Sequence, residues 1–355
     1  MEGFILSIAF LPAGVKGLPS SPQLDKMGAV ETIRGTAMIY GAGQRFPVHG
    51  WVGLVVILLA ELAVAMQQMA LPGTTPFYLF YRLTQWTTPL CWWGYILAID
   101  AWLWKVKGDS PLCHSRRWEF WAQLPLSVAF WLLFEVYNLH LDNWTYIGLP
   151  ATWWEGTLGA VIAYATILPG LFLTAETLQT LRIFERLRVP AFHPSNRLLY
   201  TLMLLGILCL MGPLLMPREI ARYLFALVWI GFIPLFEPVL YASGGLSLLR
   251  DLTEGRLHRI LSVVAAGYIC GGLWEFWNYW ATAKWVYSVP FTEDIRIFEM
   301  PLAGFLGFGP FAWEYVAMYA MVRLLGRGSQ SRKEDIHAYL THGGTAEGPG
   351  AGGGE

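Results

Sequence analysis

Residues 274–278 read Trp-Glu-Phe-Trp-Asn, and residues 134–138 read Phe-Glu-Val-Tyr-Asn. Each stretch places an acid and, three residues later, an asparagine inside an apolar run, so that both side chains share one helical face. Each stretch is followed by Trp-x-Tyr, at 285–287 and at 144–146, and the two acids are 140 residues apart. A carboxyl group inside a membrane helix is costly and marks a candidate functional site. The duplication predicts two half-sites that face one another.

The duplication extends beyond these stretches, and the order and nearly the spacing are kept. Residues 92–100, Trp-x-Gly-Tyr-Ile-x-x-x-Asp, match residues 229–237, Trp-x-Gly-Phe-Ile-x-x-x-Glu. Three pairs of acids are matched in this way, at offsets of 137, 140 and 138 residues. The pairs are Asp100 with Glu237, Glu135 with Glu275, and Glu176 with Glu314.

The composition indicates a membrane protein. The chain of 355 residues is 55% apolar and 14% charged, whereas a soluble domain carries about 25% charged residues. It contains 18 Trp, a residue type that favours membrane interfaces. We therefore predict an all-α integral protein of the cell inner membrane. No metal or cofactor motif occurs in the sequence, so we expect neither a metal ion nor a cofactor, and we expect no nucleic-acid partner.

Eight apolar segments reach or approach the roughly 20 residues that a helix needs to cross a bilayer. An even number of spans in each half keeps both halves in the same orientation, which predicts two parallel four-helix repeats at 48–190 and 191–326. Residues 1–47 are predicted to form a cytoplasmic leader, and residues 327–355 a disordered tail. The predicted spans lie near 49–71, 86–104, 120–139, 157–179, 198–216, 220–242, 258–280 and 301–325.

The distribution of Lys and Arg gives an independent prediction of orientation. If the N-terminus is cytoplasmic, 19 of the 24 Lys and Arg residues fall in cytoplasmic segments. Cytoplasmic loops of membrane proteins carry such an excess of positive charge. The chain is therefore predicted to have both termini in the cytoplasm, which places the two aromatic Trp-x-Tyr loops on the outer face.

Seven acids fall within the predicted spans, and no Lys or Arg lies deep in any span to neutralise them. One interpretation is a proton-handling site, in which one carboxyl group donates a proton and another accepts it. The other is structural, because polar clusters also join membrane helices. Glu61 has no clear counterpart in the second half and is interpreted as structural. The seven acids are Glu61, Asp100, Glu135, Glu176, Glu237, Glu275 and Glu314.

The second half also carries a resemblance to a known family. An acid at a helix end is followed by an aromatic loop, Lys284-Trp285-x-Tyr287, and then by Glu299-Met300-Pro301 at the start of the next helix. This order resembles the membrane-bound lycopene cyclases of the heterodimeric bacterial type and the related carotenoid hydratases. The resemblance implies small helical repeats that assemble a cofactor-poor site, in which carboxyl groups protonate a polyene.

Our preferred prediction is a cofactor-independent membrane enzyme that uses acid and base chemistry on a lipophilic, isoprenoid or carotenoid-like substrate. The candidate proton donors, bases or cation stabilisers are Glu135, Glu275, Glu299, Asp100 and Glu237. The candidate substrate-binding residues are Asn138 and Asn278, which orient the acids, and Trp144, Trp285, Tyr146 and Tyr287, whose π faces stabilise positive charge.

Two other functions use the same residues. A proton-coupled transporter or channel would use the acids as a relay and needs a polar path to both faces. A non-catalytic membrane subunit, bound to a protein partner or to a second copy of the chain, would satisfy each acid with neighbours and leave no cavity. An enzyme needs an apolar cavity between the halves with acids in its wall.

Overall fold

The computed structural model describes residues 45–112, 116–289 and 295–326, and within them the chain is mostly helical. The first half contains α1 (Val48–Met69), α2 (Thr75–Thr84), α3 (Thr87–Lys107), α4 (Arg117–Leu141), β1 (Trp144–Ile147), α5 (Trp153–Tyr164) and α6 (Ile167–Thr180). The second half contains α7 (Asn196–Leu215), α8 (Arg218–Ala221), α9 (Phe225–Val228), α10 (Phe232–Ala242), α11 (Leu248–Thr253), α12 (His258–Trp280), β2 (Lys284–Tyr287), β3 (Arg296–Ile297), β4 (Met300–Pro301), a 3₁₀ helix (Leu302–Gly307) and α13 (Phe308–Gly326).

Six helical segments in the described residues are long and apolar enough to cross a membrane. They correspond to six of the eight predicted spans. The other two predicted spans, 86–104 and 301–325, coincide with α3 and with the 3₁₀ helix and α13, which lie outside that set. The six segments are α1, α4, α5 with α6, α7, α9 with α10, and α12.

The described residues of both predicted repeats pack together in one compact unit. α12 of the second half packs against α3 and α6 of the first half, and α13 packs against α4. The predicted leader and tail fall almost wholly outside the described residues.

Glycines allow close helix contacts in each half. A Cβ on Gly53 of α1 would lie 2.4 Å from the carbonyl oxygen of Gly94 in α3. In the second half, a Cβ on Gly206 of α7 would lie 2.5 Å from the backbone nitrogen of Leu235 in α10. Small residues of this kind let membrane helices approach closely.

The aromatic loops form a structure that an all-α prediction does not include. β1 and β2 pair antiparallel, with Trp144 opposite Tyr287 and Tyr146 opposite Trp285. Side chains two residues apart in a strand point to the same face, so the Trp-x-Tyr sequences place four aromatic rings on one side. The small sheet joins the two halves of the chain through backbone hydrogen bonds.

The chain reaches this sheet by different turns in the two halves. α4 is capped by the next residue, Asp142, which adopts a left-handed conformation with φ of 53° and lets the chain turn directly into β1. α12 ends at Ala281, which is extended, before β2 begins at Lys284. Both acids of the duplicated stretches therefore lie in the last two turns of a helix, beside the sheet.

Candidate functional site: an aromatic cavity shared by the two halves

A cavity of about 180 Å³ lies beside the β1–β2 sheet. Both halves of the chain supply its wall, which is made largely of aromatic rings and small apolar side chains. The aromatic residues of the wall are Trp86, Trp92, Trp131, Trp144, Tyr146, Tyr164, Trp229, Trp274, Trp285, Tyr287, Phe308 and Phe311. A concave, mostly apolar pocket with a few polar groups is the usual form of a small-molecule site.

Glu275 of α12 is the one carboxyl group among the described residues that line this cavity. Its side chain is 0% exposed. Tyr287 donates a hydrogen bond to its Oε1 over 2.8 Å, and the indole of Trp285 lies 3.4 Å from the same atom. Oε2 has no hydrogen-bond partner among the described residues. One oxygen is therefore fixed by the sheet, and the other is left unpaired.

Two more buried polar atoms without partners belong to residues of the wall. They are the hydroxyl of Thr88 and the indole nitrogen of Trp92, one turn apart on α3. A buried polar group without a partner costs about 1–3 kcal/mol. Such groups are rare in folded proteins, so three in one wall call for an explanation.

Glu135 occupies the corresponding place in the first half but has more partners. Its Oε1 accepts hydrogen bonds from Tyr146, from Trp131 at 2.9 Å and from Trp144 at 3.1 Å. Glu135 is partly exposed and does not line the cavity. The three residues that donate hydrogen bonds to it do line the cavity. Glu135 thus holds aromatic residues of the wall in place.

The phenol groups that bind the two acids belong to the sheet. Burial, followed by the charge of Glu275, raises the pKa of Tyr287 well above its ordinary value. Burial has the same effect on the pKa of Tyr146. Both phenols therefore stay protonated and act as donors.

Asn138 and Asn278 bind the backbone of the strands rather than the acids. Asn278 donates to the carbonyl of Trp285 at 2.9 Å and accepts from its backbone nitrogen at 2.9 Å. Asn138 does the same for Trp144, at 2.9 and 3.2 Å. The asparagines were predicted to orient the acids, but they reach them only indirectly. They fix the strand whose Trp and Tyr side chains donate hydrogen bonds to the acids.

Asp100 and Glu237 lie away from the cavity wall, each bound to the loop that follows its helix. Asp100 accepts from the hydroxyl of Ser110 at 2.9 Å and from a backbone nitrogen at 3.0 Å. Glu237 accepts from the hydroxyl of Ser247 at 2.6 Å, from two backbone nitrogens at the start of α11 and from Trp313. Carboxylates stabilise the N-terminal turn of a helix in this way.

The remaining intramembrane acids lie in three different environments. Glu176 forms ion pairs with Lys107 and Arg116, so the expectation that no cation neutralises it was wrong. Glu314 is fully buried, and one of its oxygens accepts from a backbone nitrogen at 2.9 Å while Oε2 has no partner among the described residues. Glu61 accepts from the indole of Trp277 at 2.9 Å, a contact between the two halves.

Glu299 forms an ion pair with Lys284, with 2.5 Å between Nζ and Oε1. Lys284 lines the cavity and Glu299 does not. The structure thus adds a cation that the sequence analysis did not select, although it directly precedes Trp285. Trp131 was also missed, although its position one turn before Glu135 placed it on the same helical face.

Within the described residues, no group of three or more His, Cys, Asp or Glu side chains is placed to hold a metal ion. Comparison of the chain with protein-family models, with curated proteins and with solved structures found no match.

Proposed function

We propose that the protein is a cofactor-independent membrane enzyme that binds a lipophilic substrate in the aromatic cavity and transfers a proton through Glu275. The observation that carries the proposal is the unpaired Oε2 of a fully buried carboxyl group in an apolar wall. In such a setting a carboxyl group is an effective general acid, and after it donates its proton it becomes the base.

The neighbours of Glu275 suit this role. Tyr287 and Trp285 hold Oε1, so the orientation of the carboxyl group is fixed and Oε2 is left to the substrate. Trp274 and Trp92 line the same cavity with ring centroids 5.0 Å apart. The faces of such rings stabilise positive charge, which develops on a hydrocarbon when a carbon–carbon double bond takes up a proton.

An isoprenoid or carotenoid-like substrate fits this chemistry. A polyene offers double bonds to a proton donor and apolar surface to the aromatic wall. The resemblance of residues 274–302 to the lycopene cyclases and carotenoid hydratases supports the same substrate class. In this proposal Asp100 and Glu237 stabilise the cytoplasmic loops, Glu135 and Glu299 position aromatic residues and Lys284, and Glu275 alone is the catalytic acid.

The proposal includes eight spans in two parallel four-helix repeats, with α3 and α13 as the second and eighth spans and both termini cytoplasmic. It is supported by the excess of Lys and Arg in alternate loops. Corresponding contacts in the two halves also support it. In each half an acid accepts a hydrogen bond from the Trp-x-Tyr sequence, and an asparagine binds the backbone of the strand. A second acid in each half accepts a hydrogen bond from a serine ten residues later. The sheet and the cavity would then lie towards the outer face.

The two alternative functions predict other features. A non-catalytic subunit would satisfy every acid, which describes Asp100 and Glu237 but not Glu275. A proton relay would need polar groups in sequence towards both faces, whereas the wall around Glu275 is mainly aromatic. The cavity with its single carboxyl group therefore favours the enzyme.

The test is lipid extraction and mass spectrometry of cells that lack the chain, that carry it, and that carry Glu275→Gln. We expect a lipophilic compound that is converted only when the native chain is present. The matched control is Glu314→Gln, since Glu314 is equally buried and also has an unpaired oxygen but does not line the cavity. Identical profiles for all four strains would refute the enzyme proposal.

A further inference from the structure

We propose that the cavity holds only one end of a longer apolar molecule, and that the rest of the molecule leaves sideways along α5 into the lipid. This inference rests on the proposed function, because it describes how the substrate of the same site is bound. It follows from the size of the cavity, from the small residues on one face of α5 and from the unpaired carboxyl oxygen at the closed end.

The volume of the cavity limits how much of a ligand it can hold. An apolar cavity of roughly 150 Å³ accommodates one benzene molecule. The cavity of about 180 Å³ therefore holds a six-membered ring with little to spare. A polyene of isoprenoid length is several times larger, so only its terminal group can lie beside Glu275.

The position of the buried wall residues shows which end of the cavity is closed. Trp92, Trp274, Phe308 and Phe311 line the cavity and are all buried. They come from α3, α12 and α13, the helices at the centre of the molecule. Glu275 is equally buried and directly follows Trp274 in α12, so we place it at this closed end, where the proton donor meets the terminal group of the ligand.

The open side is formed by α5 and the loop before it. Gly156, Gly159, Ala160 and Ala163 line the cavity, and this spacing places them on one face of the helix. A Cβ added to Gly156 would meet no atom within 4 Å, and one added to Gly159 would meet only the ring of Trp86, at 3.8 Å. Each of these four residues is partly exposed, so the open space of the cavity continues past this face of α5 to the surface.

α5 is exposed or partly exposed along its whole length and has the character of a lipid-facing surface. α5 has no buried residue. Trp153 and Trp154 at its first turn are 82% and 56% exposed, and Trp favours the boundary between headgroups and acyl chains. An apolar chain that passes the small face would therefore enter the bilayer and not water.

Polar contacts at the first turn of α5 hold this edge of the opening. Arg82 of α2 binds both carboxylate oxygens of Glu155, at 2.9 and 3.0 Å. Arg82 also donates to Gln85, whose amide donates to the carbonyl of Gly148 at 2.8 Å. Gln85 lines the cavity, so this series of contacts runs from the wall to the outside of the opening.

The test uses two photoreactive probes that share one end and differ in length, phenyl azide and 4-dodecylphenyl azide, on the full chain in lipid nanodiscs. Labelled peptides are identified by mass spectrometry. We expect both azides to label the buried wall, in peptides that contain Trp274 and Phe311. The long probe, synthesised with a diazirine at the far end of its alkyl chain, should label α5 as well through that diazirine.

The variant Gly156→Leu fills the exit without touching the closed end. The Leu side chain would occupy the path of the alkyl chain, so we expect labelling of the buried wall by the long probe to fall about tenfold. Labelling by phenyl azide should not change. The matched control is Gly212→Leu in α7, where an added Cβ also meets no atom within 4 Å but which does not line this cavity.

The outcomes separate this inference from the proposed function. Equal labelling of the buried wall by both probes in native protein and in Gly156→Leu would overturn the lateral exit and leave the enzyme proposal standing. If neither probe labels the buried wall, both fail. Leu is a better helix former than Gly, so Gly156→Leu should fold. Gly159→Leu, at the next turn, serves as the second variant if it does not.

Discussion

Glu135 and Glu275 occupy equivalent places in the duplicated sequence, yet their surroundings differ. Glu135 accepts three hydrogen bonds on one oxygen and lies at the edge of the protein, partly exposed. Glu275 has two donors, is fully buried and keeps one oxygen without a partner. The acid of the same short motif therefore joins structural elements in one half and lines the cavity in the other.

One position on the helix accounts for much of this difference. Trp131 lies four residues before Glu135, and Gly271 lies four residues before Glu275. The indole of Trp131 donates to its acid and fills space, whereas Gly271 has no side chain and is approached by Phe308 of α13. A duplicated acid can thus change its role when a donor one turn away is lost.

The largest expected effect is on activity. Glu275→Gln removes the proton donor but keeps the size of the side chain, so we expect conversion of the lipophilic substrate to fall about 100-fold or more. Glu135→Gln should lower it much less, since Glu135 only positions aromatic residues. The measurement is product formation in membranes that contain equal amounts of each variant. An equal loss in both variants would mean that the two halves act together.

Substitution of the two asparagines by alanine is expected to have a smaller effect, a loss of stability. Asn278→Ala leaves a backbone N–H and a carbonyl of Trp285 without their partner, at about 1–3 kcal/mol for each buried group. Asn138→Ala removes similar contacts where the side chain is partly exposed, so water replaces some of them. Denaturant unfolding in detergent micelles should show Asn278→Ala as the less stable variant, and the reverse order would contradict the assignment of the buried site to the second half.

The glycine at the divergent position provides the next test. A Cβ on Gly271 would lie 2.2 Å from the ring of Phe308, so we expect Gly271→Ala to destabilise the protein by about 1–3 kcal/mol. Gly272→Ala, whose Cβ would meet no atom within 4 Å, is the control in the same helix and should gain stability by up to about 1 kcal/mol. Equal midpoints of thermal unfolding for the two variants would argue against close packing at Gly271.

The smallest effect should come from removing one donor to Glu135. Tyr146→Phe keeps the ring but deletes the phenol O–H that donates to Glu135, and a hydrogen bond between membrane segments contributes about 0.6 kcal/mol on average. Two donors to Glu135 remain. A loss above about 2 kcal/mol, measured by the same unfolding experiment, would show that Glu135 depends on this contact as much as a buried group does.

Much of the helical framework could be predicted because hydrophobic length is a local property of the sequence. α1, α4, α7 and α12 lie within a few residues of the predicted spans. The break between α5 and α6, and the start of α13 after a short strand and a 3₁₀ helix, were not predicted. They depend on neighbouring helices and on the β1–β2 sheet, which pairs residues about 140 positions apart.

The candidate site could be predicted only in part, for the same reason. In each half the duplicated acid and the asparagine both contact the Trp-x-Tyr sequence that follows them, although they do not contact each other. The partners of the other acids were less predictable: Asp100 and Glu237 bind loop residues, and Glu176 is neutralised by Lys107 and Arg116, which precede or follow a span.

The sequence by itself determined the class of the protein, its duplicated motifs and the acids that correspond to one another. The composition, the spacing of the acids and the alternation of apolar segments with basic loops can all be read directly from the chain. The tertiary structure alone decided which acid faces a cavity. That choice depends on packing between α3, α12 and α13, which brings Phe308 against Gly271 and leaves Oε2 of Glu275 without a partner among the described residues. Burial and an unpaired oxygen are properties of the surroundings of Glu275, and no local motif encodes them.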